Sequence, residues 1–332
     1  MKRRRNKSEG IFAKLFNTIV TICLTIGMLW GLQACSHSTS LKFVQLSDIH
    51  FLENGQNTTF KMTGASSQLL DDAIEQINEE QEIDFVMLTG DIIDKPFEKE
   101  LRAFLPHIEN LKYPWYFAFG NHDRCVGGYL TTSVYMDMVK KSNKNYNFNK
   151  PYYAFTPKKG YRVIVLDNII TDKVTTQGYL GEEQVLWLKK ELDKSKRDTV
   201  LIFMHVPLIE PFTSPNHRLK NAVQVMSIIE NYKNPIGVFQ GHYHATRVVQ
   251  HDNVLYVNSP ALVSYPNAFR IINVTNHKDK TVFELKWVET RERAIQKTAK
   301  LLVVASNIFS GEEKDQHGVY EIKKSKGIDA NE

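Results

Sequence analysis

Cysteine is scarce in this 332-residue chain: there are three, and Cys23 and Cys35 fall within the first 35 residues. Cys125 alone remains, which excludes a disulfide framework and a thiolate zinc site. It reads as a small buried residue, so stability must come from a hydrophobic core, for which the length suffices. Net charge is equally scarce beyond the N-terminus. Residues 1–34 hold six of the 42 basic and one of the 37 acidic residues, leaving 36 of each in the remainder. That balance offers no cationic face to a polyanion, so no nucleic-acid partner is expected. The chain also lacks an internal repeat and any long low-complexity segment, which excludes a repeat architecture.

What is present at the N-terminus reads as targeting. A basic start, Lys2 to Lys7, leads into an apolar run from Ile19 to Leu32 and then Leu32-Gln33-Ala34-Cys35. This order of basic, apolar and small residues is that of a secretory signal. Leu-x-Ala-Cys also resembles the bacterial lipobox, in which the cysteine, here Cys35, is lipid-modified and becomes the new N-terminus. The alternative is an uncleaved anchor, because Leu15 to Ala34 has about the 20 residues that span a bilayer. In both cases residues 1–34 are signal peptide or membrane anchor and 35–40 a short linker. Both place the rest outside the cytoplasm, on the membrane of a bacterial cell envelope, since the positive cluster stays inside.

From Leu41 onward, apolar runs alternate with amphipathic patterns. Residues 42–47, 83–89, 115–119, 200–204 and 236–239 are short, apolar and rich in β-formers, which predicts buried strands. Helices are predicted around Leu69–Ile77, Leu101–Ile108 and Val185–Leu192. Such alternation argues a layered α/β domain, here 41–290. After Gly241 the segments 246–250, 254–258, 268–274 and 281–288 read as a run of antiparallel strands. Residues 291–332 read as a final helix near 291–304 and a polar tail from Gly311, mobile in part.

Each of the five apolar strands ends in a polar cluster. These are Asp48-Ile49-His50, Gly90-Asp91-Ile92-Ile93-Asp94, Gly120-Asn121-His122-Asp123, His205-Val206-Pro207 and Gly241-His242-Tyr243-His244. In open α/β sheets, sites form beyond the carboxyl ends of strands, so the clusters are placed to converge. Asp48 and His50, like His242 and His244, are two apart, so on extended chain both side chains of a pair face one way. Carboxylate, imidazole and amide groups without thiolate suit Mn, Fe or Zn. They outnumber what one ion needs, and a carboxylate that bridges two divalent ions makes a two-metal site for phosphoryl chemistry.

Taken together, the five clusters resemble the motif series of the calcineurin-like metallophosphoesterase superfamily over about residues 41–275. The resemblance implies a four-layer α-β-β-α sandwich with mixed sheets. It implies that Asp48, His50, Asp91 and His244 bind one metal, with Asp91 bridging to a second held by Asn121, His205 and His242. His122 would be the histidine that touches phosphate or protonates the leaving group, oriented by Asp123, and Asp94 would support the ligands from behind. Within the superfamily the chain looks most like bacterial class III cyclic-nucleotide phosphodiesterases. The supporting residues are FVQLSDIHF (43–51), Pro151–Phe155, Leu166-Asp167-Asn168, Gly178–Gly181 and Val257-Asn258-Ser259-Pro260. It departs in reading His205-Val206-Pro207 where many relatives read His-His-Pro.

The implied reaction is hydrolysis of a small phosphate ester, a phosphodiester or phosphomonoester, by in-line attack of a hydroxide bridging the two metals. A phosphomonoesterase, or a pyrophosphatase acting on a nucleotide-linked envelope lipid, would keep the same ligands and differ in loops. A non-catalytic envelope lipoprotein should have lost ligands, and none is missing here. Arg124 could touch phosphate but reads more simply as ion-paired. His217 and Arg218, in the loop after the His205 strand, could line the cleft, as could the loop Asn54–Thr63. His37, His107, His251, His277 and His317 match no motif.

Overall fold

The apolar runs become the inner strands of two six-stranded sheets in the computed structural model, which describes residues 38–124 and 129–324. The leader, Cys35 and Cys125 lie outside the described residues. In chain order the elements are β1 (Thr39–Leu46), α1 (Ser66–Glu79), β2 (Phe85–Thr89), α2 (Glu98–Ile108), β3 (Trp115–Ala118), α3 (Thr132–Ser142), β4 (Tyr153–Phe155) and β5 (Tyr161–Val165). They continue with α4 (Glu182–Lys194), β6 (Thr199–Phe203), α5 (Ala222–Glu230), β7 (Ile236–Gln240), β8 (Arg247–His251), β9 (Val254–Asn258), β10 (Ala268–Asn276) and β11 (Lys280–Glu289). The C-terminal elements are α6 (Arg293–Leu302), α7 (Ser306–Ser310), α8 (Glu313–Gln316) and β12 (Gly318–Lys323).

One sheet runs β12-β11-β10-β1-β2-β3 and the other β4-β5-β6-β7-β9-β8. Both are mixed: β1, β2 and β3 are parallel, as are β5, β6, β7 and β9, while the flanking strands are antiparallel. The sheets meet face to face through aromatic rings. Phe43 of β1 stands edge-on to Phe203 of β6 (centroids 5.4 Å) and to Phe239 of β7 (5.1 Å). All three rings are fully buried, and each such side chain stabilises the fold by roughly 1.5–3 kcal/mol relative to exposure. Helices take the outer layers: α1 buries Leu69, Leu70, Ala73, Ile74 and Ile77, the 3.6-residue stripe read from the sequence. The result is the four-layer α/β sandwich.

Two differences from the sequence reading bear on the site. The four strands after Gly241 do not form one antiparallel run. β9 inserts parallel beside β7, whereas β10 crosses to the other sheet and pairs antiparallel with β1. β9 is buried along its whole length, so it needs cover on both faces, which an edge hairpin would not supply. The crossing chain passes the first motif: Leu262 N–H donates to the Ser47 carbonyl (3.0 Å) and Val263 N–H to the Asp48 carbonyl (3.2 Å). The polar tail is also more ordered than expected. Glu313–Gln316 form α8 and Gly318–Lys323 form β12, which extends the first sheet beside β11. α3 and α5 were not anticipated either; α3 is capped by Thr131, whose hydroxyl accepts from Val134 N–H (3.3 Å).

Candidate metal centre

All the motif residues do converge beyond the strand ends. Asp48, His50 and His244 bring ligand atoms within 4.8 Å of one another, as do Asp91, His205 and His242; His50, Asp91 and His122 form a third such group. Asp91 joins the groups: its Oδ2 lies 3.4 Å from His50 Nε2 and 3.3 Å from His205 Nε2. The backbone is strained to achieve this. Asp48, His50, Asp91, His242 and His244 all have φ between 44° and 76°, a left-handed conformation that non-glycine residues seldom adopt and that clusters at functional sites. Gly120 explains why the turns are glycine-rich. A Cβ there would lie 2.0 Å from the Asp91 nitrogen and 2.2 Å from its Oδ1.

Three of the four ligand imidazoles are aimed by a partner on the other nitrogen. His205 Nδ1–H donates to the Thr89 carbonyl (2.8 Å), His50 Nδ1–H to Asp94 Oδ1 (3.0 Å), and His244 Nδ1 meets Ser264 Oγ (2.7 Å). Their Nε2 atoms are thereby left for the interior, the arrangement that metal-binding histidines require. Asp48 is held by Ser47 Oγ (2.6 Å) and by the His242 N–H (3.1 and 3.0 Å to its two oxygens). Of the buried polar atoms without a hydrogen-bond partner, two belong to this centre, Asn121 Oδ1 and His242 Nε2, a costly state that a nearby cation would relieve.

The electrostatics favour ligation. Burial alone would raise Asp48, but His244 and His205 outweigh it and hold the carboxyl down to about 2. Asp91 is likewise held well below the usual range, by His205 and His122 against burial. Burial, followed by the neighbouring histidines, pushes His50 and His242 down to about 3, so both are neutral. His205 is the exception: Asp91 overcomes burial and lifts it to about 9. A donor set of ionised carboxylates, imidazoles and an amide fits two divalent cations once His205 gives up its proton.

One expected role is not what the geometry shows. Asp123 does not orient His122. Fully buried, it accepts the backbone N–H groups of Ile92 (2.8 Å) and Ile93 (3.0 Å) through Oδ1 and of Gly120 (2.8 Å) through Oδ2. It therefore ties the second and third motif turns together, and burial plus the Asp91 charge push it up to about 7. His122 is oriented instead by Asp94, whose carbonyl accepts its Nδ1–H (2.8 Å), while the His122 backbone N–H donates to Asp91 Oδ1 (2.8 Å). Arg124 is turned away from the centre, buried on the Phe119 ring (3.9 Å) and ion-paired with Asp167.

Around the ligands lies a cavity of about 280 Å³ lined by residues of several loops. From 54–63 come Phe60 and Lys61, the latter bonded to Asp94 Oδ1 (2.7 Å). The loop after β6 supplies Phe212, Ser214 and His217, with Ser214 Oγ 2.7 Å from His217 Nδ1. Thr176, Tyr243 and Phe309 complete the wall. His217 thus lines the cleft; Arg218 is exposed. No motif contains Lys61, Phe212 or Phe309: Lys61 falls in the loop 54–63 already read as a possible wall of the cleft, whereas Phe212 and Phe309 carried no signal. His107 and His251 lie outside the cavity, paired with Asp71 and Glu230.

The sequence model of the calcineurin-like phosphoesterase family matches residues 41–246. The chain belongs to that family. Its members hydrolyse phosphoric esters at a dimetal centre, and the ligand groups above are the part of this phosphoesterase that suits such a centre. The chain is 26% identical over 224 residues to a 3',5'-cyclic-nucleotide phosphodiesterase of Nostoc, covering 67% of this chain and 78% of that one. It is 25% identical over 263 residues to a manganese-dependent ADP-ribose/CDP-alcohol diphosphatase of Oryza sativa, covering 64% and 80%. Among solved structures, a dimetal phosphatase from Danio rerio superposes with a TM-score of 0.58 at 17% identity, covering 75% of this phosphoesterase and 99% of that chain. That likeness is one of fold.

Proposed function

We propose that this phosphoesterase is a dimetal phosphodiesterase. The observation that carries the reading is the shared Asp91 oxygen, poised between His50 and His205, with a full set of ligands on either side. Asp48, His50 and His244 would hold one cation and Asn121, His205 and His242 the other, with Asp91 common to both. Two divalent cations bound there would acidify water and neutralise charge on the phosphoryl oxygens. The protein's own groups handle the rest. His122, its Nδ1 engaged by the Asp94 carbonyl, turns Nε2 to the cavity and is a third exposed. In its imidazolium form it would give the Nε2 proton to the departing ester oxygen. Lys61 and His217 stand on the walls as donors to non-bridging oxygens. The similarity to phosphodiesterases supports a diester substrate, and that to the diphosphatase supports a diphosphate as the second reading.

The test uses the full chain, stripped of metal and refilled with Mn²⁺, on bis-p-nitrophenyl phosphate and p-nitrophenyl phosphate. Diester cleavage lost in both Asp91→Ala and Asn121→Ala supports the reading; monoester preference moves it to a phosphatase, and absence of metal binding refutes it. For location, the basic start, apolar run and Leu-x-Ala-Cys35 support a lipid-anchored envelope protein. Labelled palmitate incorporated by the wild type and not by Cys35→Ser would support that placement.

A further inference from the structure

Aromatic rings stand around the cavity mouth in numbers that phosphate binding does not need. Phe60 lies edge-on to His244 (5.6 Å), Phe212 edge-on to Tyr243 (5.1 Å), and Phe309 is 6.4 Å from Phe212. Phe60, Phe212 and Tyr243 belong to the stretch 41–246, whereas Phe309 sits on α7, well beyond it. The fold holds this distant ring in place from several directions. Thr246 N–H donates to the Phe309 carbonyl (3.0 Å), and Gly311 turns the chain at φ +68°. Asp315 accepts Val248 N–H (2.9 Å). Arg270, with no exposed surface, donates to the carbonyls of Asp315 (2.5 Å) and Gln316 (3.3 Å). A buried guanidinium bonded to backbone carbonyls fixes the path of the segment it holds.

The position of the rings relative to the two cavity histidines tells which part of a substrate they meet. His122 flanks His50 (centroids 4.5 Å), while His217 and Tyr243 flank His242 (5.4 and 5.6 Å). With the leaving oxygen at His122, as proposed above, the side of His242, walled by Tyr243, Phe212 and Phe309, is open to the group that stays on phosphorus. We propose that Phe309 is a specificity-determining residue: with Phe212 and Tyr243 it binds a flat unsaturated ring, such as an aryl group or nucleobase, on the retained ester group. This rests on the phosphodiesterase reading and narrows its substrate class. Flat rings pack on such aromatic walls in offset or edge-on geometry, and aliphatic groups gain less there.

The experiment compares bis-p-nitrophenyl phosphate with methyl p-nitrophenyl phosphate, which share a leaving group and differ only in the retained one. With the Mn²⁺-loaded full chain, Phe309→Ala is expected to raise KM for the bis-aryl ester about tenfold with kcat within about twofold. KM for the methyl ester should not change, and Phe309→Tyr should restore the wild-type value. Metal content and melting temperature check that the variant is folded. Equal changes for both esters, or none, overturn the proposal. Calorimetric binding of phenylphosphonate against methylphosphonate separates this failure from that of the parent reading. A phenyl preference lost in Phe309→Ala upholds the role of Phe309 even if the wild type cleaves neither diester, and no phenyl preference in the wild type overturns it.

Discussion

The Nε2 atoms of His50 and His244 face each other at 3.2 Å inside the protein. His50 already donates its Nδ1–H to the ionised Asp94, so its Nε2 is a lone pair aimed at the neighbouring ring. Two buried imidazoles in this relation are stabilised when a cation lies close to both. Chelation should therefore lower the melting temperature and Mn²⁺ restore it, each site adding about 4 kcal/mol of stability at a thousandfold excess over Kd. Asp91→Asn should lose most of that restoration, read by differential scanning calorimetry with metal analysis.

His205 sets the pH dependence of metal uptake. Its ordinary value of 6.5 is raised to about 9 in the folded, metal-free chain. The proton-stabilised contact with Asp91 is therefore fully present below pH 6.5 and lost as pH rises through about 9. A metal must displace that proton, so apparent Mn²⁺ affinity should climb across the same window. Calorimetry at pH 7.5 in buffers of differing ionisation enthalpy should detect release of about one proton, absent in His205→Asn.

Asp94 serves three side chains: His50 and Lys61 through its carboxylate and His122 through its carbonyl. Asp94→Asn keeps the carbonyl and weakens the other two. It should reduce metal affinity by about 10–100-fold, measured by competition with a chelating dye, and leave His122 in position.

His122→Ala removes the proton donor without removing a ligand of the central pair. Turnover of an ester with a poor leaving group should fall by 10²–10⁴-fold, roughly. An ester with p-nitrophenolate, which departs unprotonated, should lose far less, while metal content stays at the wild-type level.

Gly120→Ala tests the close approach of the second and third motif turns. A methyl 2.0 Å from the Asp91 nitrogen cannot be accommodated without moving that turn. Loss of about 1–3 kcal/mol or more is expected, together with loss of bound metal; Gly181→Ala, where nothing lies within 4 Å, is the control.

Much of this molecule was determined by short-range pattern. Apolar runs such as Phe85–Thr89 and the stripe Leu69–Ile77 specify buried strands and a half-buried helix because their periods match those elements. The polar clusters stand at the strand ends, where the sheet leaves them no choice but to meet. Tertiary structure decided what periodicity cannot carry. The left-handed φ of His242 and His244 replaces the extended spacing assumed for them. Asp123 turned from histidine to backbone because the buried N–H groups of Ile92, Ile93 and Gly120 needed an acceptor. Lys61 and His217 from two loops and Phe309 from α7 reach one cavity, brought together by long-range packing and a buried arginine rather than by any local preference.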